Sequence, residues 1–184
     1  MEIKQEKKEL RKKIKAIKNT YSLERKKTYS YPIFERLERT KVFKHAKCIL
    51  MYWSMDDEVF THDFIDKWHK DKIILLPCVV CDDLVLRRYE GIFSMVKGEQ
   101  FGILEPKGEI YDDYSVIDLM IIPGVAFDSQ KNRMGRGRGF YDRLLKSCKC
   151  EKIGICFDFQ LVKKVPTEEF DIKMDKVIAT SATY

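Results

Sequence analysis

The chain has 184 residues, 45% of them hydrophobic, and Lys+Arg 35 against Asp+Glu 29 give a formal net charge of +6 at pH 7. That length suits one domain with a sizeable core. Six cysteines in so long a chain exclude a small disulfide-built framework. No apolar run approaches the roughly 20 residues of a membrane helix, and the opening MEIKQEKKEL lacks the apolar stretch of a secretory signal, so a cytoplasmic protein is expected.

The charge is unevenly placed. Residues 1–47 carry 16 Lys+Arg against 6 acidic residues, and the remainder 19 against 23, so all the excess positive charge lies in the N-terminal quarter. Such a segment suits a nucleic acid, an acidic membrane or a small polyanion such as ATP; it also suits the solvated face of a helix. Leu10, Ile14 and Ile17 recur at helical spacing with lysines between them, which predicts a first helix. Asn19, Thr20 and Ser22 mark its end, and a second helical pattern runs to about Thr40, with Pro32 expected to kink or split it. Residues 1–45 therefore read as an N-terminal helical arm.

Apolar runs then alternate with helical patterns. AKCILMYWS (46–54) predicts a buried strand, and VFTHDFIDKWHK (59–70) a helix with Phe60, Phe64 and Trp68 on one stripe. KIILLPCV (72–79), LVLRRY (84–89) and IDLMIIPGVAF (117–127) predict three more strands, and YDRLLKSC a helix. KIGICFD (152–158) and DKVIATS (175–181) close the series. Short, continuously apolar strands between helices predict an α/β fold: a mostly parallel sheet covered by helices on both faces, a Rossmann-like three-layer arrangement forming one domain over 1–184, with the arm packed on the sheet. Ligands in such sheets bind beyond the carboxyl ends of the strands, which points to 53–58, 77–82, 123–142 and 156–160. Cys78 with Cys81, and Cys148 with Cys150, have spacings that a zinc site can use, but the first pair lies at a strand exit and reduced, partly buried thiols are the expectation.

The stretch NRMGRGRGFYDRLL (132–145) stands out. Gly135, Gly137 and Gly139 fall within five positions, among Arg133, Arg136, Arg138 and Arg143, between a strand and a helix. It is neither a Walker A loop nor a G-x-G-x-x-G fingerprint. The physics is related: glycines let backbone N–H groups approach an anion, a following helix offers its positive end, and arginines add fork-shaped bonds to phosphate. A glycine-rich surface turn with solvated arginines, and an RGG-like nucleic-acid contact, are the alternatives. So is a different nucleotide or sugar-phosphate enzyme on a similar sheet. The net of −4 over residues 48–184 speaks against a broad basic face for nucleic acid. Asp128 and Asn132 read as turn formers.

PGVAFDSQKNRMGRGRGFYDR (123–143) closely resembles the signature of the 5-formyltetrahydrofolate cyclo-ligase (5,10-methenyltetrahydrofolate synthetase) family. KKELR (7–11), YWSMDDEV (52–59) and GICFDFQLVKKVPTEEFDIKMDKVIA (154–179) agree in order and spacing, so the resemblance spans nearly the whole chain. It implies ATP-dependent closure of 5-formyltetrahydrofolate to 5,10-methenyltetrahydrofolate, with phosphorylation of the formyl oxygen and release of ADP and phosphate. It implies ATP as co-substrate, Mg2+, a folate with or without a polyglutamate tail, a monomer, and neither nucleic acid nor membrane as partner. Lys7, Lys8 and Arg11 would meet ATP, with Arg133, Met134, Gly135, Arg136, Gly137, Arg138, Gly139, Phe140 and Tyr141 wrapping its phosphates. Arg136 to Phe140 would border the formyl group, Trp53 and Glu58 would bind the folate, and Arg138 would stabilise charge at the transferring phosphoryl. Asp142 and Asp175 would hold Mg2+ together. The family commonly has lysine at position 138 and often tyrosine at 140; here arginine keeps the charge but not the shape, and no hydroxyl is present at 140. His45, His62 and His69 match no family site.

Overall fold

A computed structural model gives the architecture and describes residues 2–80, 83–98 and 102–184. In chain order the elements are α1 (Glu2–Lys18), α2 (Leu23–Arg39), α3 (Lys41–His45), β1 (Cys48–Leu50), α4 (His62–Trp68), β2 (Ile73–Val80), β3 (Asp83–Arg88), β4 (Met95–Lys97), β5 (Leu104–Pro106), β6 (Ile110–Tyr111), β7 (Leu119–Ile122), β8 (Ala126–Phe127), β9 (Arg133–Met134), α5 (Phe140–Ser147), β10 (Glu151–Cys156) and β11 (Lys176–Ala179). The main sheet runs β11-β10-β7-β1-β2-β3-β6. Its first five strands are parallel neighbours, and β3 and β6 add antiparallel pairs at one edge. β4–β5 and β8–β9 form separate hairpins.

The central strands β1, β2 and β7 are apolar throughout because both faces are covered. Ile49, Ile74, Leu119, Ile121, Ile153 and Ile178 face a core shared with Ile33, Phe34 and Leu37 of α2, Phe43 of α3 and Phe64 of α4. Their strand neighbours Leu50, Leu75, Met120, Ile122 and Val177 face the opposite core, closed by Leu144 and Leu145 of α5. Each strand residue thus alternates between two buried layers, the period-two geometry of a pleated strand. Helix α1 lies over the β8–β9 hairpin, where Ile14 packs with Ala126, Met134 and Val165.

Three expectations need correction. Pro32 does not split its helix: α2 runs unbroken from Leu23 to Arg39. Its inner face is fixed on both sides of the proline, with Ser30 Oγ donating to the Lys26 carbonyl (2.8 Å) and accepting from the Phe60 N–H (2.9 Å), and with Ile33, Phe34 and Leu37 buried beyond it. Packing there outweighs the ~3 kcal/mol cost of an interior proline. The run 117–127 is two strands, not one. β7 ends before Pro123, which has no N–H for a ladder, and Ala126–Phe127 leaves the sheet to pair with Arg133–Met134. Phe60 lies outside α4, because Thr61 and Ser54 exchange backbone–side-chain bonds of 3.1 Å and Thr61 Oγ1 donates to the Tyr52 carbonyl (2.7 Å), which holds residues 59–61 alongside the exit from β1.

The thiols of Cys48 and Cys78 are buried, and burial pushes both up to about 12, so they are protonated at neutral pH. Cys81 lies outside the described residues. Among the described residues no helix is long and apolar enough to cross a membrane, and no group of three or more His, Cys, Asp and Glu side chains is placed to hold a metal.

Asp128 closes the turn of the β8–β9 hairpin. Its buried carboxylate accepts from the N–H groups of Gln130 and Asn132 (both 3.0 Å), from Asn132 Nδ2 (2.9 Å) and from the Val165 N–H (2.9 Å). The turn-forming role read from sequence extends to a link with a segment 37 residues further on. Asp128→Ala strands several buried donors at once and is expected to lower unfolding free energy on the order of 3 kcal/mol, measured by urea titration.

Candidate active site

A cavity of about 220 Å³ opens beyond the carboxyl ends of β1, β2 and β7. One wall is apolar and aromatic: Tyr52, Trp53 and Met55 after β1, with Pro77, Val79 and Leu84 from the β2–β3 pair. Pro77 and Val79 share a strand face, and Leu84 is the register partner of Val79. The opposite wall is the glycine loop and the first turn of α5, Gly135 to Asp142. Of the four segments anticipated after strands, three reach the cavity. The fourth supports it from behind, where Gln160 Nε2 donates to the carbonyls of Gly124 (2.7 Å) and Val125 (3.2 Å).

The loop is an arch tied at both feet. Arg133 is buried, and its guanidinium donates to Asp142 Oδ1 and to the Pro123 carbonyl (3.3 Å). The chain between turns through Gly137 at φ +104° and Gly139 at φ +70°, conformations that residues with a Cβ rarely adopt. Gly139 is the N-cap of α5, so the positive end of that helix faces the cavity. Arg11 braces the arch from α1: its Nε donates to the Gly135 carbonyl (2.9 Å), and its guanidinium lies against Gly137.

Glu58 and Trp53 both line the cavity. Trp53 is fixed by stacking on His62 (centroids 3.8 Å apart, planes 11° apart) and on Tyr89 at 5.6 Å. Glu58 Oε2 accepts from the Met55 N–H (3.0 Å) and its Oε1 from Arg136 Nη2 (3.1 Å). Arg136 also donates to Asp57 (2.6 Å), whose other oxygen pairs with the buried Lys18 Nζ at 3.1 Å. Burial pushes the Glu58 carboxyl above its ordinary value, against the opposing pull of Arg136. Burial pushes Asp57 the same way, but Lys18 and Arg136 prevail and hold it below the usual range. The hydroxyls of Tyr52 and Tyr141 are raised by burial and by the neighbouring Glu58 charge, so both are neutral donors.

Several anticipated residues are placed differently. Arg133 lines the cavity as the buried anchor of the arch. The Met134 side chain turns away from the cavity into the core beneath α1. Lys7, Lys8 and Arg11 are not part of the cavity wall. Lys8 is exposed on the outer face of α1, and Lys7 is buried with its Nζ between Glu168 (2.8 Å) and Asp171 (2.7 Å). Asp142 lines the cavity, but Asp175 does not join it. Asp175 sits just before β11, where its carboxylate accepts from the Lys152 N–H (2.8 Å). Lys152 is aligned with Met120 near the start of β7, so Asp175 lies at the amino end of the sheet, away from the cavity. Arg138, Phe140 and Tyr141 line the cavity. Met55, Asp57, Pro77 and Val79 fall within the expected segments 53–58 and 77–82 without being singled out, and Tyr52, Leu84 and Lys18 lie outside them. The period-two alternation of β2 is the further signal that pairs Pro77 with Val79 on one face.

A three-layer α/β sheet with a cleft beyond the carboxyl ends of its strands has the architecture in which α/β enzymes bind their ligands. The 5-formyltetrahydrofolate cyclo-ligase family model matches residues 3–180, and the chain belongs to that family. It is 33% identical over 144 residues to the 5-formyltetrahydrofolate cyclo-ligase of Haemophilus influenzae, covering 73% of this chain and 76% of that one. It is 33% identical over 148 residues to the Escherichia coli K12 enzyme, covering 76% and 81%. The NMR structure of Aquifex aeolicus 5,10-methenyltetrahydrofolate synthetase superposes with a TM-score of 0.86 at 32% identity, covering 96% of this chain and 91% of that one.

Because Gly139 holds φ +70° and a Cβ there would meet the Arg143 guanidinium at 3.2 Å, Gly139→Ala is expected to cost about 1–2 kcal/mol, read as a lowered Tm.

Proposed function

We propose that the cavity between Trp53 and the Gly135–Asp142 arch is where this chain carries out the reaction of its family, the ATP-dependent conversion of 5-formyltetrahydrofolate to 5,10-methenyltetrahydrofolate with release of ADP and phosphate. The observation that carries this reading is the opposition, across one cavity, of a wall that suits a flat heterocycle and a wall that suits phosphate.

The formyl oxygen of the substrate is a poor leaving group. Receiving the γ-phosphoryl group makes it a good one, and N10 then closes the ring as phosphate departs. Such a transfer asks the protein for positioning and charge stabilisation more than for a nucleophile. The folate lies along Trp53, with Glu58 accepting from the amino and ring N–H groups of its pterin. The N–H groups of the arch and the N-terminus of α5 receive the phosphates. Arg138 lines the cavity wall and is exposed there, which supports its role in stabilising the transferring phosphoryl. Lys7 and Arg11 bear on the nucleotide through the segments they hold.

Asp142 offers a hard oxygen donor at the cavity, which fits Mg2+, a cation that takes one or two carboxylates and completes its shell with phosphate oxygens and water. When bound there, Mg2+ would neutralise charge on the phosphates. The same reading takes the protein as a monomer over 1–184 that acts in the cytoplasm on mono- or polyglutamylated folate.

The test is formation of the methenyl product, followed by its absorbance, with stoichiometric ADP. Folded protein that makes none with ATP and Mg2+ present rejects the reading. Arg138→Ala is expected to lower kcat on the order of 10²-fold. Glu58→Gln is expected to raise KM for the folate about tenfold with little change in kcat. Since the Glu58 carboxyl titrates above its ordinary 4.5, folate binding by the unmodified enzyme weakens as pH falls through that raised value, and the acid limb disappears in Glu58→Gln.

A further inference from the structure

Lys18 has no role in the signature segments, and on helical spacing alone it is one more lysine of a basic helix. In the structure it is the innermost residue of a chain of alternating charges. Its side chain is 5% exposed, and its Nζ lies 3.1 Å from Asp57 Oδ2. Asp57 Oδ1 accepts from Arg136 Nη2 at 2.6 Å, and the same nitrogen lies 3.1 Å from Glu58 Oε1. The sequence is cation, anion, cation, anion, with formal charges that cancel. Its outer members Arg136 and Glu58 line the cavity, while Lys18 does not.

Remove the Lys18 charge and two adjacent carboxylates, the half-exposed Asp57 and the largely buried Glu58, share one guanidinium. Arg136 is then held more tightly by the protein and offers less to an incoming anion. With Lys18 present, Asp57 is already balanced, and Arg136 can turn part of its charge to a ligand when Glu58 is occupied by the folate. We propose that Lys18 is a positioning residue for the reaction: by neutralising Asp57 from beneath, it leaves Arg136 available to the phosphate side of the cavity. This rests on the reading of that cavity as the active site.

The test uses the full chain with ATP and 5-formyltetrahydrofolate. Lys18→Met is expected to raise KM for ATP about tenfold while kcat changes by less than about threefold, since Arg136 stays in place but is more strongly engaged. Lys18→Arg restores KM to within about threefold of the parent. The double variant Lys18→Met with Asp57→Asn removes one charge of each sign, and is expected to recover most of the loss seen in Lys18→Met alone. Lys18→Gln keeps the length and a donor but not the charge; it is expected to behave as Lys18→Met and guards against a packing defect. An unchanged KM in folded Lys18→Met or Lys18→Gln overturns the proposal. So does a double variant that is folded, judged by Tm, yet no better than Lys18→Met. Failure of the unsubstituted protein to turn over strikes the site reading itself, a different result from normal turnover that ignores position 18.

Discussion

The site depends on one buried guanidinium. Arg133, with 3% of its side chain exposed, spans from the Pro123 carbonyl, where β7 ends, to the Asp142 carboxylate, where α5 begins. The loop between it and Asp142 passes over it, and Gly135 lies so close that a Cβ there would stand 3.0 Å from the Arg133 Nη1. Taking an arginine out of water costs several kcal/mol even when it is paired, and here Nε has no hydrogen-bond partner among the described residues. The gain is geometric: one anchor fixes where the strand ends, where the helix starts and how high the arch stands.

Around that anchor the charge segregation of the chain becomes complementarity within the fold. The basic N-terminal quarter and the acidic remainder do not repel separate partners; they meet. Lys7, Arg11 and Lys18 lie at intervals of four and seven along α1, hence on one side of the helix. Each reaches a different loop: Lys7 the 168–171 segment, Arg11 the glycine arch, Lys18 the turn after β1. Helix α1 is thereby a clasp across three segments that end in or behind the cavity. Exposed pairs of this kind contribute little to stability, but Lys7 and Lys18 are buried, so losing either side of a pair leaves an uncompensated charge.

The fold was largely legible because its signal is local. Buried strands such as 119–122 and 153–156 are continuously apolar, and the stretches between them carry helical periodicity or turn residues. The arch was legible for the same reason, being three glycines and four arginines in a row of neighbours. What sequence did not show is non-local. The inward side of α1 was read from Leu10, Ile14 and Ile17, and counting apolar residues hides a lysine that is buried because an aspartate elsewhere meets it. Pro32 looked like a break because its local cost is visible and the packing that outweighs it is not. Asp175 was grouped with Asp142 by motif, although the β10–β11 register sets it beside Lys152, at the amino end of the sheet, where a backbone N–H and not a phosphate is its partner.

Positions 138 and 140 are coupled through Arg143. Phe140 opens α5, and the Arg143 guanidinium lies 5.3 Å from the centre of its ring. The same guanidinium donates to the Arg138 carbonyl at 3.4 Å. A phenyl face therefore steadies the arginine that steadies the peptide leading out of residue 138. The cation–ring contact needs the aromatic face and not a hydroxyl, so phenylalanine at 140 preserves the support of the arch even though it offers no donor to a ligand. Donors near the cavity are not scarce: Tyr141, in the same first turn, carries a neutral hydroxyl, and Arg138 brings a planar fork where lysine would bring a single ammonium. At this corner the requirement on position 140 is mechanical, and it is met through Arg143.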